Sequence, residues 1–164
     1  MRPFTLAIIC SCALALTASA QERPDSSQSQ PERTNSSYVP DLGDLMGATQ
    51  LRHIKLSFAG NLKNWELASY EVAQIRKTLE AAAKFYPEFQ DVPLAKLVAD
   101  VSEPALKEID QSIKAKDSTA FLRSFRKLTE ACNSCHQAAK VGFIVMRVPT
   151  ASPFSNQSFP PAQK

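Results

Sequence analysis

The sequence predicts an all-α protein, an antiparallel up-and-down four-helix bundle, and three observations carry that expectation. Apolar residues recur at steps of three and four throughout residues 41–142. Residues that cap or break helices divide this stretch into four segments of roughly twenty residues. The connections between them are short, which places consecutive helices side by side.

The first helix is expected over residues 42–62. Leu42, Met46, Thr49, His53, Leu56 and Gly60 form one face, with Leu45, Ile54, Phe58 and Leu62 beside it. Asn64 is placed to cap the second, where Trp65, Ala68, Val72, Ile75, Leu79, Ala82 and Tyr86 keep the same rhythm until Pro87. The third carries Leu94, Leu97, Val98, Val101, Ala105, Ile109 and Ile113. Pro104 lies within it and either removes one hydrogen bond or restarts the helix after Ser102, so the segment reads as one kinked helix. Asp117 or Ser118 caps the fourth, whose stripe of Phe121, Phe125, Leu128, Cys132, Cys135 and Ala139 is expected to end with Gly142 at the C′ position. Phe143 to Val148 form a β-prone stretch that favours extended backbone, and Pro149 to Lys164 are rich in Pro, Ser, Asn and Gln. This tail, residues 143–164, is expected to run along the bundle surface, the alternative being a disordered end beyond Ser155.

The N-terminus carries an export signal: Arg2, an apolar run from Phe4 to Thr17, then Ala18-Ser19-Ala20 as an A-x-A cleavage site. Residues 1–20 are therefore expected to be removed and the protein to be periplasmic. An acylated Cys10 or Cys12 is the less favoured alternative, because the apolar run continues past both. Residues 21–40 are polar, Pro-rich and almost free of apolar side chains, a composition that cannot offset the entropy of ordering, and read as a flexible leader. Loss of Arg2 leaves 18 basic and 16 acidic side chains, a net charge of +2 that is too mild to imply nucleic acid. No later stretch is long and apolar enough for a membrane span.

After cleavage only two of the four cysteines remain, and they belong to Cys132-Asn133-Ser134-Cys135-His136. This C-x-x-C-H spacing is the attachment signature of c-type haem. Two thiols three residues apart on a helix share a face and can both add to the vinyl groups of one porphyrin, while His136 reaches the iron. Three rivals carry less weight. A redox dithiol needs its thiols at a helix N-terminus, and here they end a long helix. A zinc site could recruit His53, but adjacent Cys135 and His136 are poorly placed to share a tetrahedron. A disulfide within a regular helix does not meet the required dihedral.

A single exported domain of four helices with one C-x-x-C-H in the last turns of the final helix resembles the class II cytochromes c, the cytochrome c′-like family. The resemblance covers residues 41–142 and rests on Cys132, Cys135 and His136 at that position. It implies one haem c clasped between the first and last helices, held covalently by Cys132 and Cys135, with His136 as proximal axial ligand. Members either leave the sixth position open and bind NO or CO, or fill it from the first helix and carry electrons. This chain departs from the pattern in its long C-terminal tail and in a histidine on the first helix, where methionine or an apolar residue is usual.

His53 and His136 are the only two histidines. His53 is the favoured distal ligand, and Met46, seven residues earlier on the same face and about 10 Å along the axis, is the alternative. A level count from the helix ends favours Met46, the family's usual depth favours His53, and a vacant position remains the third option. Imidazole gives a low-spin iron of lower potential, a thioether raises the potential, and an open apolar face near Leu56, Phe58 or Phe125 would admit a gas. Met146, on the tail, is expected to pack rather than ligate.

Arg52 and Lys55 flank His53 and are the candidate contacts for the haem propionates. Arg123, Arg126, Lys127 and Lys140 decorate the fourth helix and read first as a solvated face, with steering of an acidic redox partner as the alternative. Phe58, Trp65, Tyr70, Phe121 and Phe125 serve as core or haem walls. No nucleophile and base pair marks the chain as an enzyme. The expected activity is electron transfer by an exported monohaem cytochrome, as monomer or homodimer, working with redox partner proteins. The competing readings are a five-coordinate gas binder and, less favoured, a haemless metal-binding or interaction protein.

Overall fold

The computed structural model describes residues 38–162. The expected signal segment, leader residues 21–37 and the last two residues lie outside the described part.

All regular structure among the described residues is helical. Helix α1 spans Leu42–Asn61 and starts where the Asp41 carboxylate accepts the Gly43 N–H at 2.7 Å. Helix α2, Trp65–Phe85, begins in the same way, with Asn64 Oδ1 accepting the Leu67 N–H at 3.1 Å. Pro87 follows Tyr86 and prevents continuation.

The third segment departs from a simple kink. Helix α3, Leu94–Leu97, runs into a π-helical turn, Val98–Ser102, and then into α4, Glu103–Lys114. The Glu103 N–H reaches back five residues to the Val98 carbonyl, and Pro104 sits in the first turn of α4, where its missing N–H costs least. Helix α5 spans Ser118–Ala138, and the Asp117 carboxylate accepts the Thr119 and Ala120 N–H groups at 2.9 and 3.0 Å.

Helix α1 packs extensively on α2, and α4 on α5; α2 meets α4, while α1 and α5 come together far less extensively. The buried core holds Leu56, Val72, Ile75, Leu106, Ile109, Phe121, Phe125 and Leu128. The tip of the Phe121 ring lies against Gly60, and the ring is edge-on to Trp65 at 6.0 Å and stacked on Phe125 at 5.9 Å. Burial of these side chains is the main stabilising term, at about 1.5–3 kcal/mol for each large residue.

Burial is unequal along the helices. Leu42, Leu45 and Met46 at the start of α1 are only half-buried, as are Leu94, Leu97, Val98 and Val101 of the third segment and Cys132 and Cys135 near the end of α5. Among the described residues, apolar side chains at the ends of these elements are therefore only partly covered, whereas Leu56, Val72, Ile109 and Phe121 are sealed.

Helix α5 does not end on Gly142. It stops at Ala138, with Ala139 as cap and Lys140 at C′ in the left-handed region, φ 61°. The Val141 N–H bonds the His136 carbonyl at 2.9 Å and the Lys140 N–H bonds the Gln137 carbonyl at 3.1 Å, the paired bonds of a Schellman turn. Gly142 lies beyond the cap without a positive φ, beside the movable end of the exposed Gln137 side chain. The tail then crosses to the far loop, where Phe159 is buried against Phe58 and Asn64 Nδ2 donates to the Phe159 and Pro160 carbonyls at 3.1 and 3.3 Å. Asn64 thus caps α2 with its oxygen and anchors the tail with its nitrogen, and the chain remains packed beyond Ser155. No helix of the described residues is long and apolar enough to cross a membrane.

Candidate functional site

Cys132, Cys135 and His136 occupy the last two turns of α5, and none of the three is fully buried. Both cysteines are free thiols. Burial, reinforced by the neighbouring Cys135, pushes the Cys132 thiol up to about 12, and burial likewise raises Cys135 despite a 3.7 Å contact with the Ser102 hydroxyl. The negative end of the α5 dipole also opposes thiolate formation here. Neither thiol is activated as an exchange nucleophile, which requires a lowered pKa. Ser102 belongs to the π-helical turn, so the irregular stretch of the third segment lies directly beside the motif.

His136 is held by the tail. Its Nδ1 lies 2.7 Å from the Ile144 carbonyl oxygen, which can only accept, so the proton of the neutral ring sits on Nδ1. The Nε2 lone pair is left available, which is the form of imidazole that ligates a metal. A metal-binding histidine that donates its other N–H to a backbone carbonyl is the usual outer-shell arrangement.

His53 is only 1% exposed and packs at a tilt of 34° against Phe125, with ring centroids 4.5 Å apart. Its Nε2 lies 2.9 Å from Thr129 Oγ1, and the Thr129 hydroxyl already donates to the Phe125 carbonyl at 2.9 Å. Thr129 must then accept, and Nε2 carries the proton. His53 Nδ1 is left buried with no hydrogen-bond partner among the described residues. Such an orphaned acceptor costs about 1–3 kcal/mol, so a ligand for that lone pair would recover real free energy.

Burial also lowers the His53 pKa from 6.5 to about 4. Between those values the unfolded chain binds a proton that the folded chain excludes, so stability falls as pH drops through the window. Urea unfolding of cofactor-free protein is expected to lose about 3 kcal/mol between pH 7 and pH 4 from this group. The His53→Asn variant should lose most of that slope, and an unchanged slope would refute the assignment.

The other expected site residues are distributed differently. Met46 is half-buried near the start of α1. Arg52 pairs with the buried Glu71 carboxylate at 3.1 Å and lies over the Tyr70 ring, and Lys55 sits 4.9 Å from the Phe154 ring centroid. The candidate propionate contacts therefore have other partners in this structure. Lys127 pairs with Glu108, while no ion pair among the described residues involves Arg123, Arg126 or Lys140. The zinc alternative finds no support in the geometry: no group of three or more His, Cys, Asp or Glu side chains is gathered as a metal site among the described residues.

Sequence reasoning missed Thr129, Ser102, Asn133 and the Ile144 carbonyl. Each acts through a tertiary contact with no periodic signature. Asn133 alone had a local signal, as an amide inside the C-x-x-C spacer.

Compared with known protein families, curated proteins and solved structures, the chain matches none of them.

Proposed function

We propose that this chain is an exported monohaem c-type cytochrome of the class II type and acts as an electron carrier. Haem c would be held covalently by Cys132 and Cys135, with His136 as proximal and His53 as distal ligand. The observation that carries the reading is the state of the two imidazoles. His136 presents its Nε2 on the same helix end as two free thiols, and His53 holds a buried Nδ1 that none of the described residues satisfies. Two thiols and two neutral imidazoles are the donor types that haem c takes up, although His53, level with Thr129, would have to meet the iron from about two helical turns along α5 from His136.

The half-closed end of the helices offers the apolar walls that a porphyrin needs, in Leu45, Met46, Leu97, Val98 and Val101. The limited contact between α1 and α5 is where the haem would enter. Gly60 against Phe121 and His53 against Thr129 give α1 and α5 opposite directions, which supports an antiparallel up-and-down bundle. Export to the periplasm, where haem attachment occurs, rests on the sequence of residues 1–20. Exposed Phe143, Ile144 and Val145 beside the motif offer an apolar face for a redox partner. When bound, the haem supplies one-electron chemistry; the protein orients its ligands and limits water around it.

A second reading has its own observation. The contacts of residue 60 with 121 and 53 with 129, continued by seven residues, bring Met46 level with Cys135 and His136. Methionine ligation would raise the potential, and an iron left without either ligand would bind CO or NO.

Optical spectra of the ferric and ferrous protein separate these outcomes. The account expects a low-spin, CO-insensitive iron that becomes high-spin and CO-reactive in His53→Ala and stays low-spin in Met46→Ala. A CO-reactive wild type unchanged by His53→Ala would overturn the bis-histidine assignment.

A further inference from the structure

The tail after α5 is bound to the motif by more than the His136 bond. The Schellman turn brings the Val141 N–H onto the His136 carbonyl, and the Ile144 N–H closes a second turn on the Val141 carbonyl at 2.9 Å. That second turn aims the Ile144 carbonyl at His136 Nδ1, 2.7 Å away. Two residues later, Asn133 closes the loop. Its Oδ1 accepts the Met146 N–H at 2.7 Å and its Nδ2 donates to the Met146 carbonyl at 3.0 Å. A side-chain amide that pairs with both polar groups of one backbone residue imitates a strand partner and fixes that residue in position and direction.

On a helical wheel Asn133 lies on the side of His136 away from Cys135, so latch and carbonyl act on the same flank of the imidazole. The segment is solvent-facing on its outer side, where Phe143 is 82% and Val145 65% exposed. Apolar burial therefore does not explain why residues 143–146 follow this course. The polar latch does.

We infer that residues 140–146 form a strap on the proximal side of the haem, in which the Ile144 carbonyl is the positioning group for His136 and Asn133 is the latch that holds it. This inference rests on the haem reading above and adds a control of the iron to it. A carbonyl accepting from Nδ1–H fixes the tautomer, orients the ring and increases the basicity of Nε2. A more basic axial imidazole stabilises the ferric state, so the strap lowers the reduction potential. Asn133 is one of the two spacer residues between the cysteines, so the attachment motif carries its own latch.

The test uses the full chain with Asn133→Ala, and with Ser134→Ala as control. In haem-loaded protein, Asn133→Ala is expected to shift the potential to more positive values, and Ser134→Ala to leave it unchanged. In chain produced without haem, imidazole 15N resonances are expected to report His136 protonated on Nδ1, and to lose that preference in Asn133→Ala. A lowered unfolding midpoint with potential and tautomer unmoved would make the strap a purely structural clasp and overturn the inference. A wild-type His136 protonated on Nε2 would overturn it as well. The haem-free measurement stands apart from haem binding: a chain that shows the tautomer and its loss but takes up no haem keeps the strap and sinks the cytochrome.

Discussion

A chain in which Cys132 and Cys135 are both replaced by alanine is expected to fold and to carry no covalent haem. The two thiols are half-buried at the open end of the helices and form no disulfide, so their removal takes little from the core. Alanine is the best helix former, and it offsets part of the lost contact within α5. The haem-free stability should change by less than about 2 kcal/mol, well below the cost of a core truncation. Loss of covalent attachment should be complete, because no other cysteine remains after residue 20. A single replacement should leave one thioether and a shifted spectrum. The measurements are haem staining after denaturing electrophoresis and helical circular dichroism of the same samples; a double variant that retains covalent haem would contradict the assignment.

Gly60→Ala is expected to be the most damaging small substitution in the fold. An added Cβ would lie 2.0, 2.2 and 2.5 Å from three ring carbons of Phe121. The ring cannot retreat, since it is 1% exposed and held between Trp65 and Phe125. Alanine gains about 1 kcal/mol of helix propensity over glycine, but overpacking a sealed site costs about 1–3 kcal/mol and more where backbone must shift. We expect a net loss of about 2 kcal/mol in urea unfolding, from separation of α1 from α5 at this crossing. Adding Phe121→Leu should recover part of that loss, a non-additive result that neither change alone would give. A stabilised Gly60→Ala would mean that the two helices do not approach here as described.

The helices were largely legible because their signals are local. Asn64 and Asp117 cap where their side chains can reach the next turn, and Pro104 sits at the start of α4 because a ring without an N–H is tolerated there. The end of α5 was misread for a reason of the same kind. Glycine is the favoured residue for a left-handed C′ position, but two Schellman bonds are enough to hold Lys140 there, and Gly142 follows without a positive φ. The π-helical turn could not be read, since it depends on how the third segment meets Cys135 and α5.

At the site, Cys132, Cys135 and His136 declare themselves by spacing. The partners that set their chemistry do not. Thr129 faces His53 across 76 positions of sequence, and the buried Glu71 is paired with Arg52 on another helix. The tail was expected along the bundle surface, and its course is set by contacts that composition does not show: Asn133 on Met146, Asn64 on the Phe159 and Pro160 carbonyls, and Phe159 buried against Phe58.

The central claim is covalent haem on Cys132 and Cys135, and the intact mass of the exported chain under denaturing conditions tests it most directly. Produced in a host with haem-attachment machinery, the protein should have the mass of the chain cleaved after Ala20 plus one haem, with no free thiol. The unmodified mass, with both thiols open to alkylation, would contradict the account.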